Sequence, residues 1–165
     1  MEREFEDISM RHKKHKKRNR YIVPLGITAF LLLYLFGYID DWSRDFTEND
    51  AAITAESSDA DLRPLYDECS TEEMIEAVKR AASRIRTWEH IGHAKEGNTT
   101  LVLFVRTSRI WRFKDDIIIL IDDLGDRRQV TGKSASRIDF GDLGQNPRNL
   151  RRFLAELRDV LEGSS

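Results

Sequence analysis

Apolar residues run without a single charge from Tyr21 to Ile39, YIVPLGITAFLLLYLFGYI, a stretch of nineteen residues. A helix of that length, rising ~1.5 Å per residue, covers the ~30 Å hydrocarbon core of a bilayer. Pro24 falls in the first turn, where its missing N–H does no harm, and Tyr21, Tyr38 and Trp42 fall near the two interfaces, where aromatic rings are favoured. A cleaved secretory segment has an apolar run of ~7 to 15 residues ending at a small-x-small site. The run here is longer and GYIDDW offers no such site, so the pattern predicts an uncleaved transmembrane signal anchor.

After the anchor the pattern changes twice. Ser70 followed by Glu73 is a capping box, and Met74, Ala77, Val78, Ala81, Ala82 and Ile85 recur at helical spacing, which predicts a first helix to about Arg86. Strands follow: Trp88 to Ala94 weakly, Thr99 to Thr107 (TTLVLFVRT) and Asp115 to Asp123 (DDIIILIDD) strongly, and Asp126 to Ser136 as a polar strand. Between the second and third, RIWRF reads as a short edge strand or a bulged connection. Asn146-Pro147 then reads as a cap and first turn, with Leu150, Phe153, Leu154, Leu157 and Leu161 as the stripe of a second helix and Gly163 as its stop. The expected fold is α+β: a single N-terminal transmembrane helix, then helix, antiparallel meander of three to five strands, and helix, in two layers.

A two-residue turn at Leu124-Gly125 sets Asp123 against Asp126, Asp122 against Arg127, Asp116 against Lys133 and Ile119 against Val130. Both central strands are apolar on both faces: Leu101, Leu103 and Val105 against Val102 and Phe104, and Ile117, Ile119 and Ile121 against Ile118 and Leu120. Two helices cover one face of such a sheet. The other face calls for a cover, whether the tether, a second subunit, a lipid or a protein partner.

Charge sharpens this division. Residues 1–20 carry eight Lys or Arg against four acids, and residues 40–69 carry ten acids against two Arg. The first block reads as a basic cytoplasmic tail that fixes topology by the positive-inside rule and attracts anionic lipids through Arg11 to Arg20. The second, rich in Ala, Ser and Thr, reads as an acidic tether, leaving residues 70–165 as an extracytoplasmic domain. A nucleic-acid partner is not expected beyond the membrane, although Arg106, Arg109, Trp111 and Arg112 mix bases with aromatics as single-strand binders do. The lone Cys69 makes no intramolecular disulfide. His90 and His93, three apart on a strand, are expected on opposite faces with no Cys or carboxylate cluster to complete a metal site, Cys69 with either histidine lacks the local signature of a nucleophile and base, and no cofactor is implied.

The densest run of special residues is Lys133 to Asn149, KSASRIDFGDLGQNPRN. Ser134, Ala135, Ser136 and Arg137, then Asp142, Gly144 and Asn146, with Thr107 and Arg112-Phe113-x-Asp115-Asp116 upstream, resemble the family catalogued as domain of unknown function 1499. The resemblance runs from about Thr71 to Leu161. Lys133 stands where Arg is usual and Asp139 where Gly is usual. The resemblance implies a domain boundary and no established activity.

Two functions are consistent with these residues. In the first, Ser134, Ser136, Arg137, Asp142 and Asn146, with Asp115 or Asp116, take part in binding an anionic or lipid ligand, or only brace the fold, and the domain binds a protein partner or itself as a homodimer. In the second, the Arg137, Asp142 and Asn146 loop with Asp115 or Asp116 serves an envelope hydrolase or transferase. A bracing role for Arg137 would show as a pair with Asp115 or Asp116.

Overall fold

The computed structural model describes residues 50–109, 112–137 and 144–163. The anchor at Tyr21 to Ile39, the tail at Arg11 to Arg20 and Asp142 lie outside the described residues. Among those described, no helix is long and apolar enough to cross a membrane.

In chain order the elements are β1 (Asp50–Ile53), a 3-10 turn (Ala60–Leu62), β2 (Leu65–Asp67), α1 (Thr71–Ser83), β3 (Trp88–Glu96), β4 (Thr99–Thr107), β5 (Lys114–Asp123), β6 (Arg128–Ser136) and α2 (Gln145–Glu162). The class is α+β; β3 to β6 form a four-stranded antiparallel meander, as expected, and β1 and β2 bring the sheet to six strands. Its order is β1-β6-β5-β4-β3, all pairs antiparallel, with β2 also on β6. β1 pairs with Gly132 to Ala135 and β2 with Arg128 to Val130, so the two short strands share one edge of β6.

The acidic stretch is therefore corrected in part: Asp50–Ile53 and Leu65–Asp67 are strands of the sheet, not tether. Ile53 and Leu62 are buried in the core, and the turn between the strands is held to α2 by Arg151 on Asp59 at 2.6 Å. One apolar residue in each short element is enough to seat it, because its remaining bonds come from the edge of β6.

α1 starts where expected. Ser70 Oγ accepts from Glu73 N, and Ser70 N donates to Glu73 Oε2 at 2.8 Å. Its apolar face, Met74, Ala77, Val78, Ala81 and Ala82, meets Ile117, Ile119 and Ile121 of β5 and Val102 and Phe104 of β4, with Leu150, Phe153, Leu154 and Leu157 of α2 completing one core. α2 begins two residues earlier than its Asn-Pro signal suggests. Its N-cap is Gly144, at φ 72, and Asn146 is buried inside the helix start instead of capping it.

The β5–β6 register is shifted by two from expectation, with Asp123 opposite Arg128 and Ile117 opposite Ser134. Asp123 Oδ1 accepts from Gly125 N at 2.9 Å, and Leu124 N donates to Arg127 O at 3.0 Å, so the loop takes four residues rather than two. A shift of two preserves side-chain parity, and the face assignments stand.

Gly132 lies on the covered face, where an added Cβ would sit 2.8 Å from both Ile118 O and Ile119 Cδ1. Gly132→Ala is expected to lower stability by about 1–3 kcal/mol through overpacking. A denaturant midpoint unchanged from that of the parent chain would contradict this.

Candidate functional site

Strand alternation sends Asp115 toward the helices and Asp116 to the opposite face. Asp115 is 3% exposed and accepts three hydrogen bonds: from Arg106 Nη1 at 2.6 Å, Ser136 Oγ at 3.0 Å and Asn149 Nδ2 at 3.2 Å. Ser134, fully buried opposite Ile117, donates to Asn146 Oδ1 and accepts from Asn149 Nδ2 at 3.3 Å. Gln145 Nε2 donates to Asn149 Oδ1 at 2.8 Å. Both amide hydrogens of Asn149 are thereby used. The network ties β4, β5 and β6 to the first turn of α2, and it neutralises a buried carboxylate with a guanidinium whose side chain is only 14% exposed.

On the other face Arg137 grips Asp116 with a two-pronged bond, Nε to Oδ2 at 2.9 Å and Nη2 to Oδ1. Those hydrogen bonds hold the Asp116 carboxyl below the usual carboxylate range and raise Arg137 above its ordinary value. Both side chains are about half exposed, so solvent screens the pair.

Of the seven residues singled out from the sequence, Asp115, Ser134, Ser136 and Asn146 thus meet in one internal network. Asp116 and Arg137 meet each other on the far side of the sheet, and Asp142 lies outside the described residues. The six described ones do not line one cleft. Sequence reasoning missed Arg106 and Asn149 as members of the network. The signal for the second was present: Asn146 and Asn149 are three apart on α2 and border its apolar stripe, a polar pair facing inward.

The histidine expectation is also corrected. A bulge between His90 and Gly92 puts an extra residue into β3, so His90 and His93 share a face, with ring centroids 6.1 Å apart. Among the described residues no group of three or more metal-ligating side chains forms. Cys69 follows β2 at one edge of the sheet while the two histidines are on β3 at the other. Burial, a hydrogen bond with Asp67 and the charges of Asp67 and Glu73 push its thiol up to about 12, which leaves little thiolate at neutral pH. Cys69 borders an open acidic groove of about 410 Å³ with Asp67, Glu72, Glu73, Glu76 and Arg80.

A family model described as protein of unknown function, DUF1499, matches residues 41–157. The chain belongs to the DUF1499 family. The DUF1499 match begins ahead of β1 and ends within α2, so it takes in both edge strands as well as the motif stretch. No curated protein matches the chain. Among solved structures, this DUF1499 chain is similar to the Saccharomyces cerevisiae Ran-binding protein Mog1p at 10% identity, with 69% of this chain and 75% of that chain covered and a TM-score of 0.32. It is likewise similar to a point mutant of Mog1, at 11% identity with the same coverage and TM-score.

Proposed function

We propose that this DUF1499 chain is a single-pass membrane protein, anchored by residues 21–39, whose extracytoplasmic domain is a non-enzymatic binding module that docks a second copy of itself through the open face of the sheet. The observation carrying this reading is the face itself. Both helices pack on one side, and no described residue covers the other, where Leu101, Leu103, Val105, Ile118 and Leu120 cluster across β4 and β5 in register. Ile118 at its centre is 37% exposed.

The rim of this patch on the β1 and β6 side is polar and already satisfied, with Lys133 on Asp50 at 2.6 Å beside the Arg137–Asp116 pair. An apolar centre inside a polar rim is the anatomy of an interface. Five strands spaced ~4.8 Å apart and about eight residues long offer roughly 650 Å² per copy, at the lower end of what specific association uses. Two flat sheet faces pack ~10 Å apart with aligned strands, which makes a second copy a well-matched occupant. Anchoring both copies in one bilayer raises their effective concentration further. The basic tail adds attraction to anionic lipids of about 1 kcal/mol per charge. The hydrolase or transferase reading finds less support, since Asp115, Asp116 and Arg137 are each engaged in internal bonds.

The test is the molar mass of the full chain in detergent, measured by light scattering, with and without Ile118→Asp. The unsubstituted chain is expected to run as a dimer and the variant as a monomer with its helical signal intact. A monomeric unsubstituted chain at micromolar concentration would overturn docking of a second copy.

A further inference from the structure

The connection from β4 to β5 turns back beside the start of β3 and gathers three arginines. Thr107 N donates to Thr87 O at 2.9 Å, tying the end of β4 to the segment that enters β3. Ser108 and Phe113 then close the loop on each other, Ser108 N on Phe113 O at 2.8 Å and Phe113 N on Ser108 Oγ at 2.9 Å. Against these ties lies an open cleft of about 270 Å³, lined by Arg86, Arg109 and Arg112, by the hydroxyl-bearing Thr87 and Thr107, and by Glu89.

Among the described residues, three arginines without an ion pair are gathered in this cleft, whereas elsewhere on the domain such residues, Arg127 and Arg152 among them, stand apart and six others are paired. Arg84, Arg106, Arg128, Arg137, Arg151 and Arg158 each reach a carboxylate. Arg86, Arg109 and Arg112 are exposed, and among the described residues none of them has an ion pair or hydrogen bond. Glu89 is the one carboxylate in the lining and it too is unpaired, so three guanidiniums against one carboxylate leave a formal +2. Arg112 stands at φ 57, the one non-glycine residue at positive φ among those described. A left-handed backbone is disfavoured for a side chain of that size, whereas glycine takes it freely. Arginine at such a position marks a place where the guanidinium matters more than local ease of folding.

We propose that this cleft binds a phosphoryl group of the monoester class, presented by a soluble phosphate or by a lipid headgroup. A phosphate monoester carries about −1.5 to −2 at pH 7, which matches the uncompensated +2, and offers three acceptor oxygens. Guanidinium forks engage two such oxygens at a time, and the threonine hydroxyls supply further donors. The cleft borders the open sheet face through Thr107 and through Glu89, which stands opposite Val105, but its three arginines are not part of the apolar patch, so protection of the arginines is read independently of dimerisation.

The test is protection of individual arginines from an arginine-specific dicarbonyl reagent, read by peptide mass spectrometry on the full chain in phosphatidylcholine nanodiscs. Arg152, exposed on α2, is the internal control. Inorganic phosphate is expected to slow modification of Arg86, Arg109 and Arg112 at least fivefold and to leave Arg152 unchanged, if the group is soluble. If the group is a headgroup, the same pattern appears only when phosphatidic acid is added to the nanodisc. In either case Arg112→Gly, which suits the backbone at that position, keeps the melting temperature within a few degrees and abolishes protection at Arg86 and Arg109. Equal rates at all four arginines under every condition would overturn the proposal, as would protection that survives in Arg112→Gly.

Discussion

Asp115→Ala is expected to cost about 3–5 kcal/mol of folding stability, the range seen when one member of a buried ion pair is removed. The loss exceeds that of a single hydrogen bond because three donors are stranded together: the Arg106 guanidinium, the Ser136 hydroxyl and the Asn149 amide. For a domain of about 100 residues each kcal/mol moves the melting temperature by roughly 4–8 °C, so a drop of at least ~12 °C is the outcome to look for. Asp115→Asn retains an acceptor oxygen and the side-chain shape, and is expected to lose less. Arg106→Met alone should also destabilise, and the double variant should fall short of the sum of the singles by about 0.5–3 kcal/mol, since the two groups share one interaction. A loss under 1 kcal/mol for Asp115→Ala would mean that the network does not fasten α2 to the sheet.

Two adjacent aspartates thus do different work. Asp115 is spent inside the fold, and Asp116 closes an ion pair on the open face. The motif stretch shared with the family is, in this chain, a joint between the last strand and the last helix. Ser134 meets α2 from β6 and Asn146 accepts from its hydroxyl at the helix start, while Ser136 reaches Asp115.

What could be read ahead of the fold depended on the range of the interactions involved. The capping box at Ser70 and the stripes of both helices follow from residues within a turn of each other, and the strongly apolar β4 and β5 announce themselves by composition. β1 and β2 do not. DAAI and LYD are too short for alternation to register, and they become strands only because β6 offers an unpaired edge. The β5–β6 register failed by two because an aspartate bond to Gly125 N lengthened the loop, a competition that charge matching across the strands cannot detect. The histidine pair failed for a similar reason, since a single bulge reverses the parity of everything beyond it. The site residues were legible as a list. Their roles were not, because Asp115 meets Asn149 across 34 positions and Ser134 meets Asn146 across 12.

Phe153→Ala is the second large effect expected, at about 3–5 kcal/mol, because the ring is fully buried and its removal leaves a cavity that two packed layers cannot close. The ring stacks on Trp88 of β3 with centroids 5.5 Å apart and planes 12° from parallel, and Trp88 in turn meets Phe104 of β4 at 5.6 Å. This aromatic column is the bond between α2 and the β3 side of the sheet, whereas the Asp115 network joins α2 to β4, β5 and β6. The two attachments adjoin, since Arg106 stands opposite Trp88 across β4 and β3 and Asn149 precedes Phe153 by four residues on α2, so the losses in Asp115→Ala and Phe153→Ala should depart from their sum by about 0.5–3 kcal/mol, provided the double variant still folds. Truncation at Phe153 should also shift Trp88 emission to the red as water reaches it, while Phe153→Leu, which fills most of the space, should shift it less. Trp88 borders the arginine cleft as well. Loosening it is therefore expected to weaken protection at Arg86 before the domain unfolds.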